Sequence, residues 1–297
     1  MSPLPQVRGS GRRIVEIDGL RGVSILMVLI GHLVSWRYAE YFSTLAVQIG
    51  AFLSNLGVEL FFVISGFVIT HLSLAEYRIG TFSIKHFYLR RAIRIIPPLL
   101  CYLMTITVLT NAGLIHQDLN GIIKAAAFSC NVFDDCDWFV GHTWTLAYEW
   151  QFYLAFPMLL ALGRFLPAFL YAISIAIIVA IFLGCFPDDA KSIVFLAAGS
   201  LIASSSGTLV PLMNWRVWTY AMKWTRAWFL QALGAISYSL YLWQQLFTGS
   251  PGRYSATSFF EPWIAIALAY ASYRLLEQGV GRFLKSKLRH SRQNHTP

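Results

Sequence analysis

Continuous runs of about 20 apolar residues leave a chain few structural options, because they match the thickness of a bilayer. In hydrocarbon every backbone N–H and C=O must be paired within the protein, so such a run is a helix or a strand of a closed barrel. Here the runs are continuous rather than alternating, which selects helices. The first reads "EIDGLRGVSILMVLIGHLV", residues 16–34. Of 297 residues, 57% are hydrophobic and 12% charged, whereas a soluble domain carries about 25% charged residues. Apolar runs fall near 17–36, 51–73, 93–114, 143–163, 167–186, 190–206, 229–248 and 260–280. The expectation is an all-α, polytopic transmembrane helix bundle of about eight spans. It divides into a cytoplasmic N-terminal tail (1–16), a membrane domain (17–281) and a basic cytoplasmic C-terminal tail (282–297). The first run has no small-residue cleavage site after it and reads as a retained span.

The formal net charge is +9. In a soluble chain that would point to nucleic acid; here the basic residues gather in the loops of one side, which is a topology signal instead. With the N-terminus inside, nineteen of the 23 lysines and arginines lie on the cytoplasmic side. Arg37, Lys124, Lys191 and Arg253 remain outside, beside the acidic Asp118, Asp134, Asp135, Asp137, Asp188 and Asp189. Both termini are then cytoplasmic. Cys101 and Cys185 lie in apolar runs and read as packing residues. Cys130 and Cys136 flank "NVFDD" in a polar loop. They could pair if that loop faces an oxidising compartment, or stay free if it does not. No metal-ligand spacing is present, so no metal is expected.

Ionisable groups inside membrane spans are costly and point to function by default. Arg21 and His32 are eleven residues apart, about three turns plus 20°, so they share a helix face roughly 16 Å apart along the axis. Arg21 lies at the inner mouth and His32 beyond the midplane. The plainer alternative is that Arg21 snorkels to the interface and His32 bonds a neighbouring carbonyl. Glu59 and Glu149 enter from the outer side at a depth similar to His32, and a buried carboxylate could orient an imidazole and raise its basicity. Glu149 could equally tie helices together through Trp or Tyr groups. Ser65 and Gly66 read as residues that permit close helix packing.

The inner segment "KHFYLRRAIRIIPPLL" holds Arg90, Arg91 and Arg94. If helical, Arg91 and Arg94 share a face and could clamp a phosphate with their planar forks. They could also serve only as a topology signal. Pro97 and Pro98 are expected to break the helix start. In "ALGAISYSLYLWQQLF", Tyr238, Tyr241 and Gln244 form a stripe at spacing three that suits a cavity lining. Trp243 suits an interfacial aromatic belt.

Five segments in order, "DGLRGVSILMVLIGH", "GVELFFVISGFVIT", "FYLRRAIRIIPPLL", "WTLAYEWQFYLAFP" and "ISYSLYLWQ", resemble the acyltransferase 3 family of integral-membrane acyltransferases. The resemblance implies transfer of an acyl group, usually acetyl, from cytoplasmic acyl-CoA to a hydroxyl of a carbohydrate or glycolipid, in the bacterial inner membrane. It implies that Arg21 and His32 match the family's arginine–ten–histidine motif and that Arg91 and Arg94 match its cytoplasmic arginine pair. The chain departs from the family in two places. Family members usually have ten spans, and residues 207–228 are polar and short where two more would lie. Gln244 stands where many relatives have histidine. No attached soluble domain of the kind some relatives carry is expected.

The combined expectation is an enzyme. Arg91, Arg94 and Arg21 bind acyl-CoA, and His32 acts as general base with Glu149 or Glu59 orienting it. Tyr238, Tyr241, Gln244 and Trp144 contact the substrate. Acyl-CoA is a co-substrate and no permanent cofactor is implied; the other partners are the acceptor and the lipid bilayer. A covalent acyl-imidazole is the alternative mechanism. The alternative functions are a proton-coupled transporter and a non-catalytic shortened family member.

Overall fold

The computed structural model describes residues 14–132, 136–185, 190–204, 222–254 and 261–280. Residues 1–13 of the N-terminal tail, the C-terminal tail, most of the 207–228 stretch, and Asp134, Asp135, Asp188 and Asp189 lie outside the described residues, while Val15 and Glu16, expected in the tail, already belong to the first helix. Every regular element among the described residues is a helix, with one isolated bridge between Ile115 and Tyr254.

In chain order these are α1 (Val15–His32), continued by a π turn (Leu33–Arg37), α2 (Thr44–Arg78) and α3 (Ile84–Asn111). Then come α4 (Leu119–Ala126), the single-turn α5 (Trp138–Gly141), α6 (Trp144–Ala161), α7 (Leu166–Phe182) and α8 (Lys191–Ser204). Last are α9 (Trp228–Phe247) and α10 (Pro262–Ser272), which runs on as a π segment (Tyr273–Val280).

By length and composition, 3 stretches can cross a membrane: Val15–Arg37, Thr44–Arg78 and Ile84–Asn111. Leu166–Phe182 and Lys191–Ser204 are apolar but shorter. The described residues therefore give three helices able to span, where the apolar runs suggest about eight. The remaining runs are helical too, but α6 and α9 carry many polar and aromatic side chains that turn inward. The apolar side chains of α7 point the other way: Phe182 is 89% exposed, and Ile175, Ile178 and Val179 are exposed with it. A face like that suits lipid.

Helix α1 sits between α2 and α9, and α2 packs along α8. The α2–α8 contact depends on glycine. A side chain at Gly66 would run into the Leu196 carbonyl, and one at Gly199 into the Val63 carbonyl. Small residues let the two backbones approach closely, which is how helices associate where lipid removes the hydrophobic drive.

Helix α3 corrects the expected role of the prolines. It begins at Ile84, capped by the Ser83 hydroxyl, and runs through Pro97 and Pro98 without a break. Two prolines remove two ladder donors and leave the carbonyls of Ile93 and Arg94 without their usual partners. Neighbouring helices can re-satisfy such a site, and the Tyr238 hydroxyl of α9 donates to the adjoining Ile95 carbonyl at 2.8 Å. Arg90, Arg91 and Arg94 are thus helical residues, not loop residues.

Cys130 and Cys136 form a disulfide in the α4–α5 connection. Cys185, expected to pack in an apolar run, is exposed just past α7. Trp243, expected at an interface, is 5% exposed, and its ring meets Tyr102 edge-on in the core. It is buried because α9 is buried on nearly all sides over its last two turns.

Candidate active site

A cavity of about 250 Å³ lies between α1, α2, α3, α6 and α9. Its polar lining comes from all five: Arg21 of α1, Ser65 of α2, Arg91 and Arg94 of α3, Glu149 of α6, and Tyr238 and Tyr241 of α9. Helical spacing explains the α3 pair, since i and i+3 share a face. Arg21 interacts electrostatically with Arg94, Glu149 and Tyr153. Glu149 accepts a hydrogen bond from the Ser65 hydroxyl of α2.

The arginines are not equally free. Arg90 also lines the cavity, but its guanidinium is paired with Glu76 at 2.9 Å. Arg91 lies over the Phe87 ring at 4.0 Å and donates to the Phe87 carbonyl at 3.4 Å. Its Nε is buried and has no partner among the described residues. Arg21, Arg91 and Arg94 therefore bring three positive charges to a lining whose one carboxylate is Glu149, while Glu277, from the π segment after α10, interacts electrostatically with Arg94 and Arg21. The remaining walls include Val58, Phe61, Val68 and Leu72. A cationic, partly apolar cavity suits a ligand with an anionic head and an uncharged arm.

His32 does not line this cavity. Its Nδ1 meets the Gln244 Oε1 of α9 at 3.0 Å. The same oxygen accepts from the Thr248 hydroxyl at 3.0 Å, and the Gln244 amide NH₂ donates to the Gln245 Oε1 at 3.2 Å. Because the glutamine presents its oxygen, His32 carries its proton on Nδ1, and Nε2 of the neutral ring is left as an acceptor. A carboxylate is not the bonded partner of this imidazole.

Between the cavity and His32 stand Tyr241, Thr145 and His142. The Tyr241 hydroxyl donates to the His142 carbonyl at 3.2 Å and lies 3.0 Å from the Thr145 hydroxyl. The His142 ring packs 5.5 Å from both the Tyr102 and the Tyr241 ring centroids. It is 5% exposed, and neither ring nitrogen has a partner among the described residues.

The structure thus brings together Arg21, Arg91, Arg94, Glu149, Tyr238 and Tyr241, and joins His32 to Gln244. It holds two expected residues elsewhere. Glu59 pairs with Lys191 at 3.2 Å, which neutralises it on the α8 side rather than at His32. Trp144 packs against Phe62 and Tyr148. The expected convergence of His32, Glu59 and Glu149 at one depth is therefore replaced by three separate pairings. Ser65, read as a packing residue, is instead the donor to Glu149. Its spacing within α2 could not reveal a partner on α6. His142 lies two residues before the segment "WTLAYEWQFYLAFP", and a histidine beside a span carries no signal of its own.

Residues 14–206 match the family model described as an acyltransferase domain, well over half of the chain. The chain belongs to the acyltransferase 3 family. Within it, O-acetyltransferase OatA of Staphylococcus aureus strain NCTC 8325 / PS 47 is 35% identical over 174 residues, covering 53% of this chain and 27% of the relative. OatA of strain COL matches with the same figures. The chain spans about a quarter of the length of these curated relatives. No solved structure matches it. The region matched to the acyltransferase 3 model includes Arg21, His32, Arg91, Arg94 and Glu149. Helix α9, with Tyr238, Tyr241 and Gln244, lies beyond it.

Proposed function

We propose that this chain is a membrane O-acyltransferase that moves an acyl group from cytoplasmic acyl-CoA to a hydroxyl of a carbohydrate or glycolipid. The acetyl group is the expected cargo, because the relatives it resembles are named O-acetyltransferases. The observation that carries the reading is the single cavity that collects Arg21, Arg91 and Arg94 from two helices below His32. Free guanidiniums recognise phosphates bidentately, and acyl-CoA carries its phosphates at the end opposite the thioester. Arg21 and His32 share a face of α1 roughly 16 Å apart, so a long, thin arm anchored at the arginines runs toward the imidazole. Tyr241, Thr145 and His142 stand in that path and would have to part for the thioester to arrive.

In this mechanism the acceptor oxygen attacks the thioester carbonyl while His32 Nε2 takes its proton. The carbon–sulfur bond then breaks, and the departing CoA sulfur takes the proton from the imidazolium. The Gln244 oxygen holds Nδ1–H throughout. Glu149, held by Ser65, balances the arginine charge. Both termini face the cytoplasm of a bacterial inner membrane in this reading.

The test is purified protein in detergent with radiolabelled acetyl-CoA and a crude saccharide fraction. An acyltransferase labels the saccharide covalently. A transporter, after reconstitution into vesicles, moves a solute unchanged, and a non-catalytic member does neither.

A further inference from the structure

At the end of the bundle away from Arg21, α1 changes winding. The segment Leu33–Arg37 is a π turn, with the Tyr38 N–H bonded to the Leu33 carbonyl. π segments are rare and often mark functional sites. Its bond joins residues five apart rather than four, so Arg37 sits at a different angle about the axis than an α-helix would give it.

An aromatic platform adjoins it. The Trp138 ring lies 5.8 Å from the His32 ring and 5.0 Å from the Trp36 ring. Trp138 is fixed by a reciprocal pair of bonds: its indole N–H donates to the Gln245 carbonyl at 3.0 Å, and the Gln245 amide donates to the Trp138 carbonyl at 2.9 Å. Trp36 is 43% exposed, so the platform is open.

Two cations flank it. The Arg253 guanidinium lies 4.7 Å from the Trp138 ring centroid, and Arg37 lies 5.4 Å from that of Tyr254. Arg37 is 6% exposed, and one of its terminal nitrogens is buried without a partner. Among the described residues neither arginine has an ion pair. Arg253 and Tyr254 also line a second cavity of about 310 Å³, with His116 and Thr110. A buried, unpaired guanidinium is costly unless an anion reaches it.

We propose that Trp36, Trp138, Arg37 and Arg253 bind an anionic saccharide whose hydroxyl is presented to His32. This rests on the proposed acyl transfer and names the class of its acceptor. Flat, rigid indoles offer apolar area at low entropic cost and fit the C–H face of a sugar ring. Arginine forks fit a carboxylate or phosphate on that sugar. A bare phosphate would leave the indoles idle, and a neutral glycan would leave the arginines unpaired. Donor and acceptor would then approach His32 from opposite ends of α1.

The test is calorimetric binding to the full chain in detergent. The probes are a glucuronate-containing oligosaccharide and its uncharged methyl ester, with acetyl-CoA binding as an independent readout. The parent is expected to bind the acid about tenfold or more tighter than the ester. Trp36→Ala and Arg253→Gln are each expected to weaken the acid about tenfold and leave acetyl-CoA binding unchanged. Both side chains are at least partly exposed, so these variants should fold. Equal binding of acid and ester, or parent-like binding by both variants, would overturn the proposal. So would variants that lose affinity for phosphatidylglycerol micelles but keep it for the oligosaccharide, since that describes a lipid headgroup site. A parent that fails to bind acetyl-CoA but binds the acid selectively would refute the acyl-transfer reading and leave the saccharide site standing.

Discussion

His32 on α1 and Gln244 on α9, 212 residues apart in sequence, meet through a 3.0 Å contact between Nδ1 and Oε1. The contact fixes which ring nitrogen is free to act as a base. Gln244 is therefore a positioning residue. Gln244→Leu should remove the acceptor and lower the turnover number about 10- to 100-fold, the scale of one buried hydrogen bond, with the KM for acetyl-CoA unchanged. Gln244→Glu supplies an oxygen at the same place and should recover part of the rate. A drop in KM-linked binding without a drop in turnover would count against this role.

The arginines predict an order of effects. Arg91→Lys or Arg94→Lys should weaken acetyl-CoA binding by roughly 10- to 150-fold, because a point charge loses the fork geometry. Arg90→Lys should do much less, since Arg90 is already paired with Glu76. Equilibrium binding of acetyl-CoA to the three purified variants checks the order. Equal behaviour of all three would reduce the cluster to a topology signal.

Ser65 and Glu149 should act as a unit. Ser65→Ala takes a donor from a half-buried carboxylate, which costs about 1 kcal/mol. Glu149→Gln leaves the cavity more positive and removes the charge that balances Arg21. If the two sites are coupled, the double variant should lose less thermal stability than the sum of the single variants, as residues in one network do. Strict additivity in Tm would show that they act independently.

Topology can be read by thiol labelling. Disulfides persist in oxidising compartments, and Cys130–Cys136 directly follows α4, the helix that holds Asn120. In a variant lacking Cys101 and Cys185, a cysteine at Asn120 should react with an impermeant maleimide from outside whole cells. One at Thr81, in the α2–α3 turn, should not. Both positions are exposed. Labelling of both from the same side would reverse the proposed sidedness.

Much of the helical framework was legible because continuous apolar runs admit little else. Arg21, Arg91, Arg94 and the Tyr238–Tyr241 pair were legible as well, because each is a local spacing on one helix. What sequence could not supply was pairing between helices. Nothing in "VISGF" says that Ser65 will face Glu149 on α6, nor does anything in "VELFF" say that Glu59 will turn to Lys191. Depth alone suggested that Glu59 and Glu149 would join His32, but depth does not specify which way a helix is rotated. The helix start at Ile84 was missed for a related reason. Two prolines normally end a helix, and the packing of neighbouring helices that tolerates them is not written in the local sequence. Trp36, Trp138 and Arg253 come from three distant segments and share no motif.

The central claim is that His32 takes the acceptor's proton, and the most direct measurement is single-turnover transfer from radiolabelled acetyl-CoA by the parent and by His32→Gln. Glutamine keeps a polar group of similar size but cannot serve as a base. The variant should insert, fold and bind acetyl-CoA at the arginines like the parent, while transfer falls about 10²- to 10⁴-fold. If His32→Gln transferred acetyl at the parent's rate, His32 would be only a buried hydrogen-bonding residue, and the account of the chemistry would be wrong.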